Sequence, residues 1–185
     1  MLAGLALGFA LAAVPAAARA DSDLPAGSLG FVGGFRDGQG RLGDAYTIGP
    51  IWGVQAGYHP MGLAQKWSVG GAWSVLWGRL WADDPEITDG TLHVLEMNLA
   101  IRVRRLVSER DPVYLMLSPI GVTILRTNLP IPPDGERQYI GPYAGMGGEM
   151  FLNETFSLSA EARYGVFTGG PRSLTFLFCL AVGSG

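Results

Sequence analysis

The chain has 185 residues, a formal net charge of −3 and a mean hydropathy of +0.24, with 48% hydrophobic and 16% charged residues. This balance gives no argument for a nucleic acid partner, and a lone cysteine, Cys179, excludes an internal disulfide framework. After residue 20, no apolar run reaches the length of a membrane-spanning helix. An apolar excess without such a helix, together with 28 glycines, is typical of a barrel whose strands face lipid.

Residues 1–20 have the features of a secretory signal peptide. An apolar core fills most of this segment, and Ala18-Arg19-Ala20 forms a small-x-small cleavage site before acidic residues. We therefore expect cleavage near Asp21 and an outer-membrane β-barrel domain over residues 21–185. The alternative is an uncleaved helical anchor, for which the apolar core is short.

Eight segments that alternate between apolar residues and small or polar residues follow. Successive side chains of a strand point to opposite faces, so this period of two predicts strands with one apolar face. The segments are residues 28–36, 45–59, 66–81, 91–104, 112–126, 138–152, 155–167 and 173–183. Eight is an even number, as bacterial single-chain barrels require, and it brings both termini to one side. The predicted fold class is all-β, a closed eight-stranded antiparallel up-and-down transmembrane β-barrel.

Turn residues separate the segments. The clearest predicted loop is Thr127 to Arg137, which contains three prolines. A Gly- and Asp-rich loop over residues 37–44 precedes the second segment, and a turn over residues 60–65 follows it. Within the fifth segment the alternation fails at Pro119-Ile120-Gly121, which predicts a bulge that shifts the phase of the strand.

Aromatic residues near both ends of the second and third segments are typical of strands that cross a membrane. At roughly 2.6 Å along the membrane normal per tilted residue, Tyr46 and Tyr58 are about 31 Å apart, and Trp67 and Trp77 about 26 Å. These separations match the apolar band of a transmembrane barrel, which is about 25 Å tall. The predicted membrane-interface aromatics are Tyr46, Trp52, Tyr58, Trp67, Trp77, Trp81 and Tyr164.

The opposite faces of the strands carry the charged residues of the predicted barrel interior. An arginine at mid-bilayer on the outer surface costs roughly 2–4 kcal/mol, so these charges are expected inside, where they must pair. The predicted lumen network consists of Arg36, Glu96, Arg102, Arg104, Glu149, Glu161 and Arg163. We expect Glu96 and Glu161 to pair with Arg163 and Arg102, and Glu149 with Arg104. A network that plugs the barrel is favoured, and a gated ion path is the alternative.

Catalytic, metal and cofactor sites are not predicted. His59, at the end of the second segment, is expected to be a turn residue. His93, near the outer rim, could serve a lipid-acting hydrolase, but Thr91 and Glu96 make a poor nucleophile and orienter. Two histidines and one cysteine supply no metal constellation, and neither a nucleotide-binding loop nor a Gly-x-Ser-x-Gly elbow is present.

Signal peptide, eight alternating strands, short turns, aromatic girdles and inward Glu and Arg together resemble the small outer-membrane barrels of the OmpA transmembrane-domain and OmpX type. The resemblance implies the bacterial outer membrane, periplasmic termini, and outer-membrane lipids and the barrel-assembly machinery as partners. It also implies a structural or surface-interaction role without enzymatic activity, with a protein partner at the outer loops left open. The competing interpretation is a soluble lipocalin-like carrier, whose apolar face would point inward around a ligand.

Overall fold

The computed structural model describes residues 27–63, 66–82, 91–108, 113–131, 136–153 and 155–184. The predicted signal peptide, residues 1–20, lies outside this range. No helix in the described parts of the chain has the length and hydropathy needed to cross a bilayer.

Eight antiparallel strands form a closed barrel, and each strand pairs with its neighbour in sequence. The strands are β1 (Gly27–Gly40), β2 (Gly49–Leu63), β3 (Trp67–Trp81), β4 (Thr91–Ser108), β5 (Val113–Ile131), β6 (Glu136–Phe151), β7 (Phe156–Val166) and β8 (Pro171–Ser184). Pairing of β1 with β8, from Gly27 opposite Ser184 to Gly40 opposite Pro171, closes the sheet. The predicted fold class is confirmed.

The period of two in the sequence explains which side chains lie inside. In β7, Leu158 and Tyr164 point outward, whereas Ser157, Glu161 and Arg163 are buried. Glycines supply much of the remaining inward face, because the interior of an eight-stranded barrel is only wide enough for its own side chains. The inward residues must therefore be small or must interdigitate.

Several strands run past their predicted ends. Strand β5 continues to Ile131 and β6 begins at Glu136. Most of the residues predicted as a loop over Thr127 to Arg137 therefore belong to strands, and that part of the prediction is wrong. Proline lacks an N–H but fits an extended strand where no ladder bond is needed, as at the end of a hairpin. Strand β1 likewise extends to Gly40, and β2 includes residues 60–63, which were predicted as a turn.

The predicted bulge at residues 119–121 is confirmed. The register between β5 and β6 shifts between Ser118 and Gly121, and the two consecutive residues Pro119 and Ile120 are both exposed. One strand therefore changes phase without leaving the sheet, so that alternation resumes with Gly121 facing inward.

Gly121 has a packing role. A Cβ added at this position would lie 2.5 Å from Cζ of Tyr143 and would overlap the ring, because the Tyr143 side chain covers the glycine. At Gly33, by contrast, a Cβ would meet nothing within 4 Å. The two glycines form a matched pair for testing interior packing.

We expect Gly121→Ala to lower the free energy of unfolding by about 1–3 kcal/mol, the usual cost of overpacking a filled interior. Gly33→Ala should change it by less than about 0.5 kcal/mol. Reversible urea unfolding of the full chain in lipid vesicles measures both values. Equal effects of the two substitutions would contradict the packing of Tyr143 against Gly121.

Candidate functional site

The outer surface of the barrel is covered by large apolar side chains. Their exposed fractions range from 38% for Trp52 to 67% for Val107 and Ile120. Soluble monomers rarely expose a contiguous apolar patch larger than a few hundred Å². Six predicted interface aromatics belong to this outer surface: Trp52, Tyr58, Trp67, Trp77, Trp81 and Tyr164.

The seventh predicted interface aromatic, Tyr46, does not belong to the outer surface, so its assignment to the membrane interface is wrong. Tyr46 is 1% exposed and packs in an apolar cluster with Leu42, Leu80 and Leu92. It precedes β2, and an isolated β-bridge joins it to Ala82. The N–H of Tyr46 donates to the Leu42 carbonyl at 2.9 Å, so a tight turn, and not a regular strand, sets its direction.

A carboxylate shared by two arginines lies at the centre of the barrel interior. Glu161 Oε2 is 2.6 Å from Arg102 Nη2 and 3.0 Å from Arg163 Nη2. The Ser118 hydroxyl donates to Glu161 Oε1 at 3.4 Å. All three ionised side chains are at most 5% exposed, so their charges are compensated within the protein.

Two further ion pairs complete the predicted set of charges. Arg104 Nη1 lies 3.0 Å from Glu149 Oε2, which is the pairing expected from the sequence. Glu96, however, pairs with Arg36, and not with Arg102 or Arg163. Arg36 lies on β1 and Glu96 on β4, so this contact crosses the barrel. Strand alternation places both residues inside but does not indicate which partners meet.

Neutral polar residues hold the charges in place, and the sequence analysis did not single them out. Arg163 donates to Gln55 Oε1 at 2.6 Å and to Ser74 Oγ at 2.9 Å. Asn98 donates to Glu96 Oε1 at 2.7 Å, and Arg36 Nε donates to the Thr175 hydroxyl at 3.2 Å. The sequence signal that could have identified these neutral residues is their inward position in the alternating pattern.

An apolar cluster fills the interior at the end of the barrel where β1 connects to β2 and β3 connects to β4. Its buried members are Leu42, Tyr46, Leu80, Leu92, Val94, Leu125, Ile131, Tyr139 and Phe167. Below it, a cavity bordered by Glu96, Tyr143 and Arg163 has a volume of about 10 Å³, which is about enough for one water molecule. The interior is therefore divided into an apolar end and a polar middle.

The two histidines occupy different environments. His59 is not a turn residue as predicted, because it lies in β2 and is buried. His93 is exposed on the outer surface, where its backbone N–H donates to Asn128 Oδ1 at 2.7 Å. Within the described ranges, no three His, Cys, Asp or Glu residues are grouped so as to hold a metal ion.

The directions of the two faces decide against the carrier interpretation. A lipocalin-like carrier needs its apolar face around a central cavity and its charges in solvent. Here Trp73, Trp77 and Phe178 point outward, whereas Glu161 and Arg163 are buried inside. The observed arrangement is the reverse of the one that a soluble carrier requires.

Neither a protein-family model nor a curated protein matches the chain. Among solved structures, the crystal structure of Neisserial surface protein A covers 86% of this chain and 97% of its own, at 14% identity and a TM-score of 0.60. The crystal structure of Ail, the attachment invasion locus protein of Yersinia pestis, covers 84% of this chain and 97% of its own, at 13% identity and a TM-score of 0.51. The chain therefore has the fold of the small eight-stranded outer-membrane barrels.

Replacing Glu161 by glutamine should destabilise the barrel by about 3–5 kcal/mol, because two buried guanidinium groups lose their shared counter-charge. Asp44→Asn, which changes an exposed carboxylate, should cost less than about 0.5 kcal/mol. Urea unfolding in vesicles reports both. A Glu161→Gln variant as stable as the Asp44→Asn control would exclude the shared carboxylate as a stabilising element.

Proposed function

We propose that this chain is a bacterial outer-membrane protein with a structural or surface-interaction role. In this role it forms a rigid, lipid-embedded platform that presents its loops to the exterior. The observation that carries the proposal is the continuous apolar outer surface of a closed barrel with charged residues inside. Such a surface is stable in a bilayer, where lipid covers it and every backbone group is satisfied by a neighbouring strand.

The arrangement of the apolar surface supports a membrane position. Tryptophans concentrate toward the ends of the strands, with Trp77 and Trp81 near one rim and Trp67 at the other. At this second rim the Arg105 guanidinium lies 5.3 Å from the centre of the Trp67 ring, as expected for a cation that reaches the interface. Even the shortest strand, β7, has 11 residues, enough to cross the hydrocarbon region when tilted.

The barrel interior supports a closed lumen more than a conducting one. The ion pairs of Glu161, Glu149 and Glu96 occupy the polar middle, and the cluster around Leu80 and Tyr139 fills one end. We infer that the network acts as a plug. Exchange of partners among the arginines would be needed for a gated ion path.

Location and partners follow from the same proposal. Residues 1–20 would direct export and be removed, and the barrel-assembly machinery would insert the remaining chain into the outer membrane. Because Gly27 pairs with Ser184, both ends of the barrel domain lie on one side, which we assign to the periplasm. The opposite side would present the connections of β1–β2, β3–β4, β5–β6 and β7–β8 to the exterior and to any protein partner.

The proposed role does not include catalysis, and the surroundings of His93 support this. Its neighbours on the outer surface include Arg79, Arg126 and Asn128. A hydrolase would need a hydroxyl or thiol nucleophile within hydrogen-bonding reach of the imidazole. Thr127, the one hydroxyl residue in the described lining, is buried and donates to the Leu129 carbonyl at 2.6 Å.

A membrane position predicts a depth-dependent cost for arginine on the outer surface. Leu99→Arg, in the middle of β4, should cost about 2–4 kcal/mol in phosphatidylcholine vesicles, and Val107→Arg, near the end of the strand, about 0–1 kcal/mol. Both side chains are at least 66% exposed, so a water-soluble barrel would tolerate both changes equally. Equal stabilities of the two variants in urea unfolding would reject the membrane proposal.

A plugged lumen predicts that planar bilayers containing the wild-type protein show no discrete conductance steps. Glu161→Ala, which leaves Arg102 and Arg163 without their shared carboxylate, should also remain silent if packing closes the lumen. Single-channel recording at both voltage polarities tests this. Discrete current steps in the wild type that Glu161→Ala abolishes or alters would instead favour the gated ion path.

A further inference from the structure

A cleft with a volume of about 520 Å³ lies on the outer wall of the barrel, toward the rim formed by the β3–β4 connection. It is lined chiefly by Trp52, Trp77, Arg79, His93, Arg126 and Asn128. Arg79 and Arg126 carry a positive charge, and His93 adds an imidazole ring. They belong to the outer surface and take no part in the interior network.

Strand register explains why these side chains meet. Arg79 on β3 is the direct register partner of His93 on β4. One outward position closer to the middle of the barrel, register pairing joins Trp52, Trp77, Leu95 and Arg126 into a row across β2 to β5. Outward positions two residues apart on a strand are separated by about 7 Å, and neighbouring strands by about 4.8 Å. By these spacings the Cα atoms of Arg79 and Arg126 lie about 12 Å apart, a gap that two long arginine side chains can span to meet one phosphate.

The next row toward the middle of the barrel is entirely apolar. It consists of Val54, Val75, Met97 and Ile124, again joined by register. From the middle of the barrel toward the rim, the wall therefore changes from a row of aliphatic side chains to a row with two tryptophans and Arg126. The row after that contains Arg79 and His93. An amphiphile whose acyl chain follows the aliphatic row would bring its headgroup to the arginines.

Among the residues that the structure describes, no side chain compensates the positive charge of the cleft. No acidic side chain lines it within the described residues. Neither Arg79 nor Arg126 forms an ion pair in the part of the chain that the structure describes. Each is exposed on the outer wall, where a bound anion would supply the counter-charge that no described side chain provides.

We propose that this cleft binds the phosphate-bearing headgroup of a lipid in the leaflet on the loop side, an inference that rests on the proposed membrane function. The planar guanidinium groups of Arg79 and Arg126 would bind phosphate oxygens in the bidentate geometry that arginine favours. The ring of His93 would add a further hydrogen-bonding group. Trp52 and Trp77 would contact the glycerol or sugar level of the lipid, where indole rings are most stable.

The apolar row distinguishes a lipid from a soluble phosphate as the ligand. A free anion would use only the arginines and would gain nothing from Val75 or Met97. A lipid gains from both, because its acyl chains cover the aliphatic row while its headgroup neutralises the cations. The site is therefore assigned to a lipid phosphate.

Relative lipid affinity can be measured by tryptophan quenching. The full chain is folded into phosphatidylcholine vesicles that contain either brominated phosphatidic acid or brominated phosphatidylcholine, since bromine quenches nearby indoles such as Trp52 and Trp77. Each interfacial arginine increases the affinity for an anionic lipid by at most about fivefold. The two arginines of the cleft should therefore give the wild type a preference for phosphatidic acid of roughly tenfold. Arg79→Gln/Arg126→Gln should lower the preference to less than about twofold.

The matched control is Arg105→Gln/Arg172→Gln, which removes the same charge away from the cleft. Arg105 lies at the other rim beside Trp67, and Arg172 lies on β8, across the barrel from β4. This variant should retain the preference for phosphatidic acid. An equal loss in the two double variants would show a non-specific charge effect and overturn the site.

Two further outcomes separate the inference from the proposed function. If the wild type inserts, as shown by heat-modifiable gel migration, but has no lipid preference, the inference fails and the membrane proposal stands. If the wild type does not insert, both fail. Loss of the preference on adding excess inorganic phosphate would identify a soluble anion as the ligand and overturn the lipid assignment.

Discussion

Pairing of β1 with β8 closes the sheet, and closure leaves each strand side chain with only two environments, the outside or the narrow interior. On an open sheet a charged residue could lie at an edge in contact with water. In this barrel Glu161 and Arg163 can avoid the apolar outer surface only by facing inward. Burial then makes pairing obligatory, since an uncompensated interior charge is very costly. The ion pairs are thus a consequence of closure.

The narrow interior of the closed barrel also limits the size of the side chains that it can hold. Large and small residues must complement each other across the barrel, as the Tyr143 ring does over Gly121. Arg163 also lies 5.5 Å from the centre of the Tyr143 ring, so one aromatic side chain both fills space and contacts the charged network. Packing and electrostatics are therefore coupled: a substitution that displaces Tyr143 also disturbs the arginine that Glu161 shares.

Alternation in the sequence was sufficient to predict the strand number, the two faces and the inward charges, because a period of two follows directly from strand geometry. It also located the bulge at Pro119, where alternation fails. It could not predict that Glu96 meets Arg36, because that contact depends on the stagger of strands across a closed barrel. The direction of Tyr46 was missed since a turn, and not a strand, orients that residue. Residues 127–131 were wrongly predicted as a loop because extended backbone tolerates a proline, here Pro130, at a hairpin end.

The sheet order has a kinetic meaning. Seven of the eight strand pairings join neighbours in sequence, so each can form as a local hairpin with a small loss of chain entropy. The pairing of β1 with β8 joins segments from opposite ends of the domain. Its larger loss of chain entropy is offset only when all other strands are in place. A chain with seven hairpin pairings and two open edges is therefore the expected late intermediate. Its unpaired β1 and β8 backbones are the surfaces most in need of protection before the barrel seals.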